Sequence, residues 1–145
     1  MRTSAFSIRR ATALDLDEAA ALFERVANLA MPWLPRDTQN AAAFLAAAEE
    51  EIVWVAVEGG RIVGLVALFP PDAFLHSLYV APEAQRRGIG QALLAAAAAA
   101  ADRPLSLKVQ ERNLPARRFY ARAGFTQGER GVTDGAAWLS LMRTS

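Results

Sequence analysis

Gln85-Arg86-Arg87-Gly88-Ile89-Gly90 is the segment whose residue types and spacing could hold an anion. It follows an apolar, strand-like run, Phe74 to Val80, and leads into a helix-forming run near Gln91. A glycine-bearing turn at that junction presents unpaired backbone N–H groups, and the start of the helix adds positive potential. Without a Cβ, glycine lets the backbone come close to a phosphate. The segment is not a Walker A loop, because it lacks the lysine and the hydroxyl residue of G-x-x-x-x-G-K-[ST]. It is not a Rossmann fingerprint either. Leu93 stands where the third glycine would be, and no βαβ pattern opens the chain.

Composition narrows the remaining chemistry. The chain has no cysteine, which excludes disulfides, thiolate catalysis and cysteine–zinc sites. His76 is the single histidine, so a histidine-based metal site is not expected. Lys and Arg number 16 against 15 Asp and Glu, a balance that argues against a general nucleic-acid binder. Hydrophobic residues make up 53%, which reads as globular, and 145 residues fit one domain with a sizeable core. The N-terminus has no apolar run of signal-peptide length, and Ala92 to Ala101 is too short to span a bilayer. The expectation is a soluble, cytoplasmic protein with no membrane partner.

The elements that must position these residues follow from periodicity. Phe6 to Arg10 alternates like a short strand. Asp15, with Glu18 three residues on, predicts a capped helix start, and Ala19, Leu22, Phe23, Val26 and Ala30 share one helical face. Met31 to Pro35 breaks that helix, and a second is expected from Asp37 or Thr38. Ile52 to Val57 and Ile62 to Phe69 read as strands joined at Glu58-Gly59-Gly60-Arg61, with Phe74 to Val80 next. The helix from Ile89 to about Ala101 separates that strand from Leu105 to Val109, a βαβ crossover that makes the two strands parallel. A short helix from Leu114 or Pro115 to Ala123 ends at Gly124. Phe125 onward and Ala137 to Met142 supply the last strands, with Gly128 to Gly135 as a loop or turn. The fold class is mixed α/β (α+β). Its central sheet is mostly antiparallel, with one parallel pair in the middle and about four helices.

The glycine turn matches the Q/R-x-x-G-x-G/A signature, and the chain resembles the GCN5-related N-acetyltransferase superfamily. Leu78-Tyr79-Val80-Ala81-Pro82-Glu83 resembles that family's strand and turn, and Asn113 with Ala116 to Phe125 resembles its "N…A…FYxxxGF" segment. The resemblance implies direct acetyl transfer from acetyl-CoA to a primary amine, with no acyl-enzyme. The amides of Arg87, Gly88, Ile89, Gly90 and Gln91 would hold the CoA pyrophosphate, Gln85 completes the motif, and Arg86 and Arg87 add charge. Leu78, Tyr79 and Val80 would offer backbone groups to the pantetheine arm, and the N–H of Leu78 or Tyr79 would face the developing oxyanion.

The resemblance also places the proton chemistry. Tyr120 would be the general acid near the CoA sulfur, though packing of one helical face explains it too. His76, with an ordinary pKa of about 6.5, is the base candidate beside a plain strand histidine. Glu58, Glu83 and Glu111 are other carboxylates near strand ends, and a water chain could serve instead. Asn113 would touch CoA or cap its helix, and Arg117 would face the phosphates or solvent. Trp33, between prolines, would wall the acceptor site or plug the core. The acceptor would be a small-molecule or protein amine, and a homodimer through late strands is a further expectation. The alternative is a non-catalytic acyl-CoA sensor of the same fold.

Overall fold

The computed structural model describes residues 5–143. Seven strands form one sheet: β1 (Ser7–Arg10), β2 (Ile52–Glu58), β3 (Arg61–Phe69), β4 (Phe74–Val80), β5 (Ser106–Gln110), β6 (Phe125–Thr133) and β7 (Ala136–Arg143). Their order is β1-β2-β3-β4-β5-β7-β6. Only β4 and β5 run parallel, and the other pairings are antiparallel. The helices are α1 (Leu16–Ala30), α2 (Ala41–Ala48), α3 (Ile89–Ala100) and α4 (Leu114–Arg122). The expected fold class holds.

The two faces of the sheet follow from direct contacts. Phe23 of α1 meets Tyr79 of β4 edge-on at 5.4 Å and stacks tilted on Phe44 of α2 at 5.3 Å. On the opposite face, Gly64 of β3 lies under α3. A Cβ there would stand 3.0 Å from Leu93 Cδ1 and 3.2 Å from Ile89 Cγ2. The buried Ile89, Leu93, Leu94 and Ala97 make that contact, and the alanine run keeps α3 slim enough to lie close to the sheet. The β2–β3 turn is the expected two-residue hairpin, with Gly59 and Gly60 at φ 59° and 77°.

Three expectations need correction. Asp15 stands at the expected N-cap position of α1, but its side chain does not cap that helix. It closes a 3₁₀ turn (Ala13–Asp15), accepting from the Thr12 N–H at 2.7 Å and from Arg9 at 2.6 Å. Glu18 is therefore released from the capping box, and its carboxylate accepts from the Ile62 N–H at 2.8 Å, tying α1 to β3. Helix α2 starts later than expected, at Ala41, where Asn40 accepts from the Ala43 N–H at 2.8 Å. Asp37 and Thr38 belong to a separate 3₁₀ turn. Finally, Gly128 to Thr133 is strand, not loop. A bulge between Gln127 and Arg130 absorbs one residue, and the Ser140 hydroxyl accepts from the Glu129 N–H at 2.7 Å. Glycine hid that strand from a propensity reading. Gly131 is there because the Trp138 ring, directly across the ladder, fills the place of its Cβ.

Gly64→Ala tests the α3 seat. The added methyl meets two buried side chains and the Tyr79 carbonyl, at 3.3 Å. Overpacking of this kind costs about 1–3 kcal/mol. Urea denaturation should show a lower midpoint at an unchanged slope.

Candidate functional site

Strands β4 and β5 are paired only at Phe74↔Ser106 and Leu75↔Leu107, and then they part. The cause lies on the other side of β4. Its register with β3 slips between Leu75↔Leu68 and Ser77↔Ala67, so His76 is the extra residue of a bulge. A bulge bends the strand that carries it and increases its twist. The result is a wedge between the C-terminal halves of the two strands, continuous with a cleft of about 410 Å³.

Backbone direction inside the wedge can be read from register. The Ala81 N–H donates to the Val63 carbonyl at 2.8 Å, so Ala81 turns its peptide groups toward β3. Alternation along an antiparallel ladder then turns Tyr79 and Ser77 toward β3 and leaves Leu78 and Val80 facing the wedge. Of the two amides considered above, Leu78 faces the gap and Tyr79 does not. Gln85 folds back over this end of the wedge, and its side-chain amide donates to the Val80 carbonyl at 3.0 Å.

The glycine turn closes the wedge at the start of α3. Arg86 and Gly88 both take left-handed conformations, with φ 67° and 84°. No side chain caps α3, so the amides of its first turn have no side-chain acceptor. Nothing lies within 4 Å of where a Cβ of Gly88 would be, so the approach to these amides is open. An uncapped helix start, left-handed residues before it and an adjacent strand gap suit a diphosphate followed by an extended amide-bearing arm. The residues present therefore fit coenzyme A. Gly90 has a second role. The Phe119 ring lies 3.2 Å from its missing Cβ, so the two sequence motifs pack directly against each other.

That contact sets Tyr120. Its ring is buried against Phe119 and Phe125, each 5.3 Å away and close to perpendicular. The side chain lines the cleft, and no side chain or backbone group of the described residues hydrogen-bonds its hydroxyl. Burial pushes the Tyr120 phenol well above its ordinary pKa, and the nearby Tyr79 phenol adds to the shift. Burial raises Tyr79 likewise. The Tyr79 side chain also lines the cleft, a role its backbone assignment did not anticipate.

His76 lines the cleft from the bulge, with its Nδ1 2.8 Å from Glu51 Oε2. The Glu51 side chain is 4% exposed and the His76 side chain 54% exposed, so the pair joins a buried carboxylate to a ring open to the cleft. The hydrogen bond from Glu51 pushes the His76 pKa up. Burial opposes that, and the carboxylate's charge adds to it. Nothing in the sequence pointed to Glu51, which lies 25 residues away in the turn before β2.

Several side chains are committed elsewhere. Arg87 makes a two-pronged ion pair with Glu58, so its guanidinium is directed at β2. Arg117 donates to the Glu111 carbonyl at 3.0 Å and braces the loop before α4. The three alternative base carboxylates are ion-paired: Glu58 with Arg87, Glu83 with Arg25, and Glu111 with Arg130. Each is held below the usual glutamate pKa, chiefly by its arginine hydrogen bond, and none lines the cleft. Asn113 caps α4, as one reading expected, by accepting from the Ala116 N–H at 3.4 Å, and it also lines the cleft. Trp33 is half-buried and packs against the core, and it does not line the cleft. Its Nε1 donates to Gln110 Oε1 at 2.9 Å, which pins the α1–α2 connection to the end of β5. Lys108, Gln110 and Trp138 also line the cleft, and nothing in a motif singled them out.

Comparison with known proteins agrees with this geometry. Residues 15–125 match the acetyltransferase (GNAT) family. A relative is the peptidyl-lysine N-acetyltransferase YiaC of Escherichia coli, 40% identical over 83 residues. That match covers 57% of this chain and 53% of the relative, so the chain spans about half the length of that protein. A GCN5-related N-acetyltransferase from Rhodopseudomonas palustris superposes with a TM-score of 0.79 at 23% identity, covering 100% of this chain and 99% of that one. PaiA N-acetyltransferase from Thermoplasma acidophilum, solved with coenzyme A, gives 0.75 at 16% identity, covering 94% and 98%. At these identities the two structures speak to the fold.

The His76–Glu51 pair has a testable pH signature. Because His76 is the single histidine, its ring signals can be followed by NMR without assignment. Its pKa should lie above the ordinary value of about 6.5, and Glu51→Gln should bring it down. A raised folded-state pKa means that stability from this pair is fully present below the unfolded-state value. It is lost as pH rises through the folded-state value. An unshifted titration in both proteins would remove the pairing.

Proposed function

The chain belongs to the acetyltransferase (GNAT) family, and on that premise we propose that it is an acetyl-CoA-dependent N-acetyltransferase that modifies a primary amine by direct transfer. One observation carries the reading: the β4–β5 wedge and Tyr120, whose hydroxyl has no hydrogen-bond partner among the described residues, open on one cleft, and the uncapped start of α3 adjoins the wedge at Val80. Bound acetyl-CoA would supply the activated acyl group as a thioester.

The chain's own residues do the rest. The amides from Arg87 to Gln91 bind phosphate oxygens, and the left-handed Arg86 and Gly88 aim them. The Leu78 N–H faces the gap and stabilises negative charge gathering on the acyl oxygen. His76 accepts the amine's proton at Nε2, while Glu51 holds Nδ1 and fixes the ring orientation. Tyr120 donates its hydroxyl proton to the departing sulfur. Its raised pKa keeps that proton in place across the working pH range. Asn113 presents its remaining amide hydrogens to the cleft from the start of α4. The acceptor is a small-molecule or protein amine, entering on the α1–α2 side.

Tyr120→Phe removes the hydroxyl and keeps the ring, so the packing with Phe119 and Phe125 survives. Assayed by release of free CoA, the variant should lose roughly 10²- to 10⁴-fold in kcat with little change in KM for acetyl-CoA. Full activity in Tyr120→Phe would overturn the acid role. Tight CoA binding with no turnover on any amine would favour the sensor alternative.

A further inference from the structure

The amine side of the cleft has a consistent electrostatic character. Among the described residues, no Asp or Glu lines it. Asp37 adjoins the lining residue Thr38, and Asp134 adjoins the lining residue Thr133, but neither lines it. Glu51 is covered by His76. One cation, Lys108, does line the cleft, and Arg112 stands outside the lining beside Gln110. Lys108 and Gln110 alternate onto one face of β5, and Trp138 stands directly across from Gln110 on β7. The Lys108 ammonium rests over the Trp138 ring, 4.2 Å from its centre. The Arg112 guanidinium lies over the Trp33 ring at 4.5 Å, and Trp33 is itself bonded to Gln110.

Gln110 is thus flanked by two tryptophans, each carrying a cation. The tryptophans are fixed in turn. Trp138 Nε1 donates to Thr133 Oγ1 at 3.0 Å, and its ring lies across Gly131. A long, flexible cationic side chain held on an aromatic face loses little further freedom when it binds an anion. A polyamine or aminoglycoside would meet Lys108 with no carboxylate in the lining to offset it, and like charges facing each other across a binding site are costly.

We propose that the acceptor is a small amine that also carries a carboxylate, of the free amino acid class, with Lys108 and Gln110 receiving the carboxylate. This rests on the acyl-transfer reading above and specifies its acceptor. The carboxylate accepts from the Lys108 ammonium and the Gln110 side-chain amide. That contact orients the amino group toward His76 and the wedge. A protein lysine flanked by neutral residues would lack the anion.

The test compares matched pairs, each free amino acid against its own amide, with spermidine as the polycation. Release of free CoA is followed, and CoA affinity is measured separately by calorimetry. The acids should exceed their amides by about tenfold or more in kcat/KM, the factor expected of one charge-assisted contact. Spermidine should be a poor acceptor. Lys108→Glu should collapse or invert the acid-to-amide ratio, mainly through KM, while CoA still binds. Lys108→Gln should fall between. An amide or spermidine preference would overturn the proposal, as would a ratio unmoved by Lys108→Glu, or CoA binding without turnover of any acid. Failure to bind CoA at all would remove the acyl-transfer reading itself, an outcome the calorimetry reports independently.

Discussion

The site depends on two parallel strands being allowed to part. Strands β4 and β5 share two register pairs and then diverge, in the middle of a seven-stranded sheet where an unpaired strand would ordinarily be costly. The bulge at His76 provides the bend. Past it, Leu78 and Val80 keep peptide groups that β3 does not use and β5 cannot reach. One is occupied by Gln85, whose amide satisfies the Val80 carbonyl. The others face the cleft, where a ligand can satisfy them. The missing hydrogen bonds of the sheet are the binding groups of the site.

The surroundings hold that opening in shape. Tyr79 is braced by Phe23 from the α1 face, and Val80 and Gly90 lie against Phe119 from the α3 face. Trp33 fastens the connection between α1 and α2 to the end of β5. Arg117 and the Glu111–Arg130 pair secure the turn between β5 and α4. The packing of Phe119 on Gly90 joins the glycine turn to the helix that carries the Tyr120 phenol.

Charge is sorted by location. The glutamates nearest the strand ends are bound to arginines away from the cleft, while the cleft keeps two phenols, one imidazole and one ammonium. Burial holds both phenols protonated. Glu51 is the exception that reaches the cleft, and it does so only through His76. This sorting decides which acid–base groups can act. It depends on which arginine lies within reach of which glutamate, and so on tertiary packing.

The sequence by itself determined the element order, the parallel pair and the glycine turn. These rest on local signals: period-two and helical spacing, helix length as a crossover, and glycine where the backbone must turn left-handed. It also placed Tyr120 beside an aromatic neighbour and Asn113 at a helix start. Local signals failed where a distant residue supplied the reason. Gly128 to Thr133 read as loop because glycine is a poor strand former, yet Trp138 and Ser140 across the ladder require small residues there. Asp15 read as a cap for α1, but Arg9 and Thr12 drew it into an earlier turn. Only the tertiary structure selected the Leu78 amide over Tyr79, because register and not residue type sets where a peptide points. It alone joined His76 to Glu51, bound Arg87 to Glu58 and Arg117 to the Glu111 carbonyl, and gathered Lys108, Gln110 and Arg112 around two tryptophans. Ion pairs and hydrogen bonds act over a few ångströms of space, and residues 25 or 77 positions apart in the chain become neighbours only when the sheet has formed.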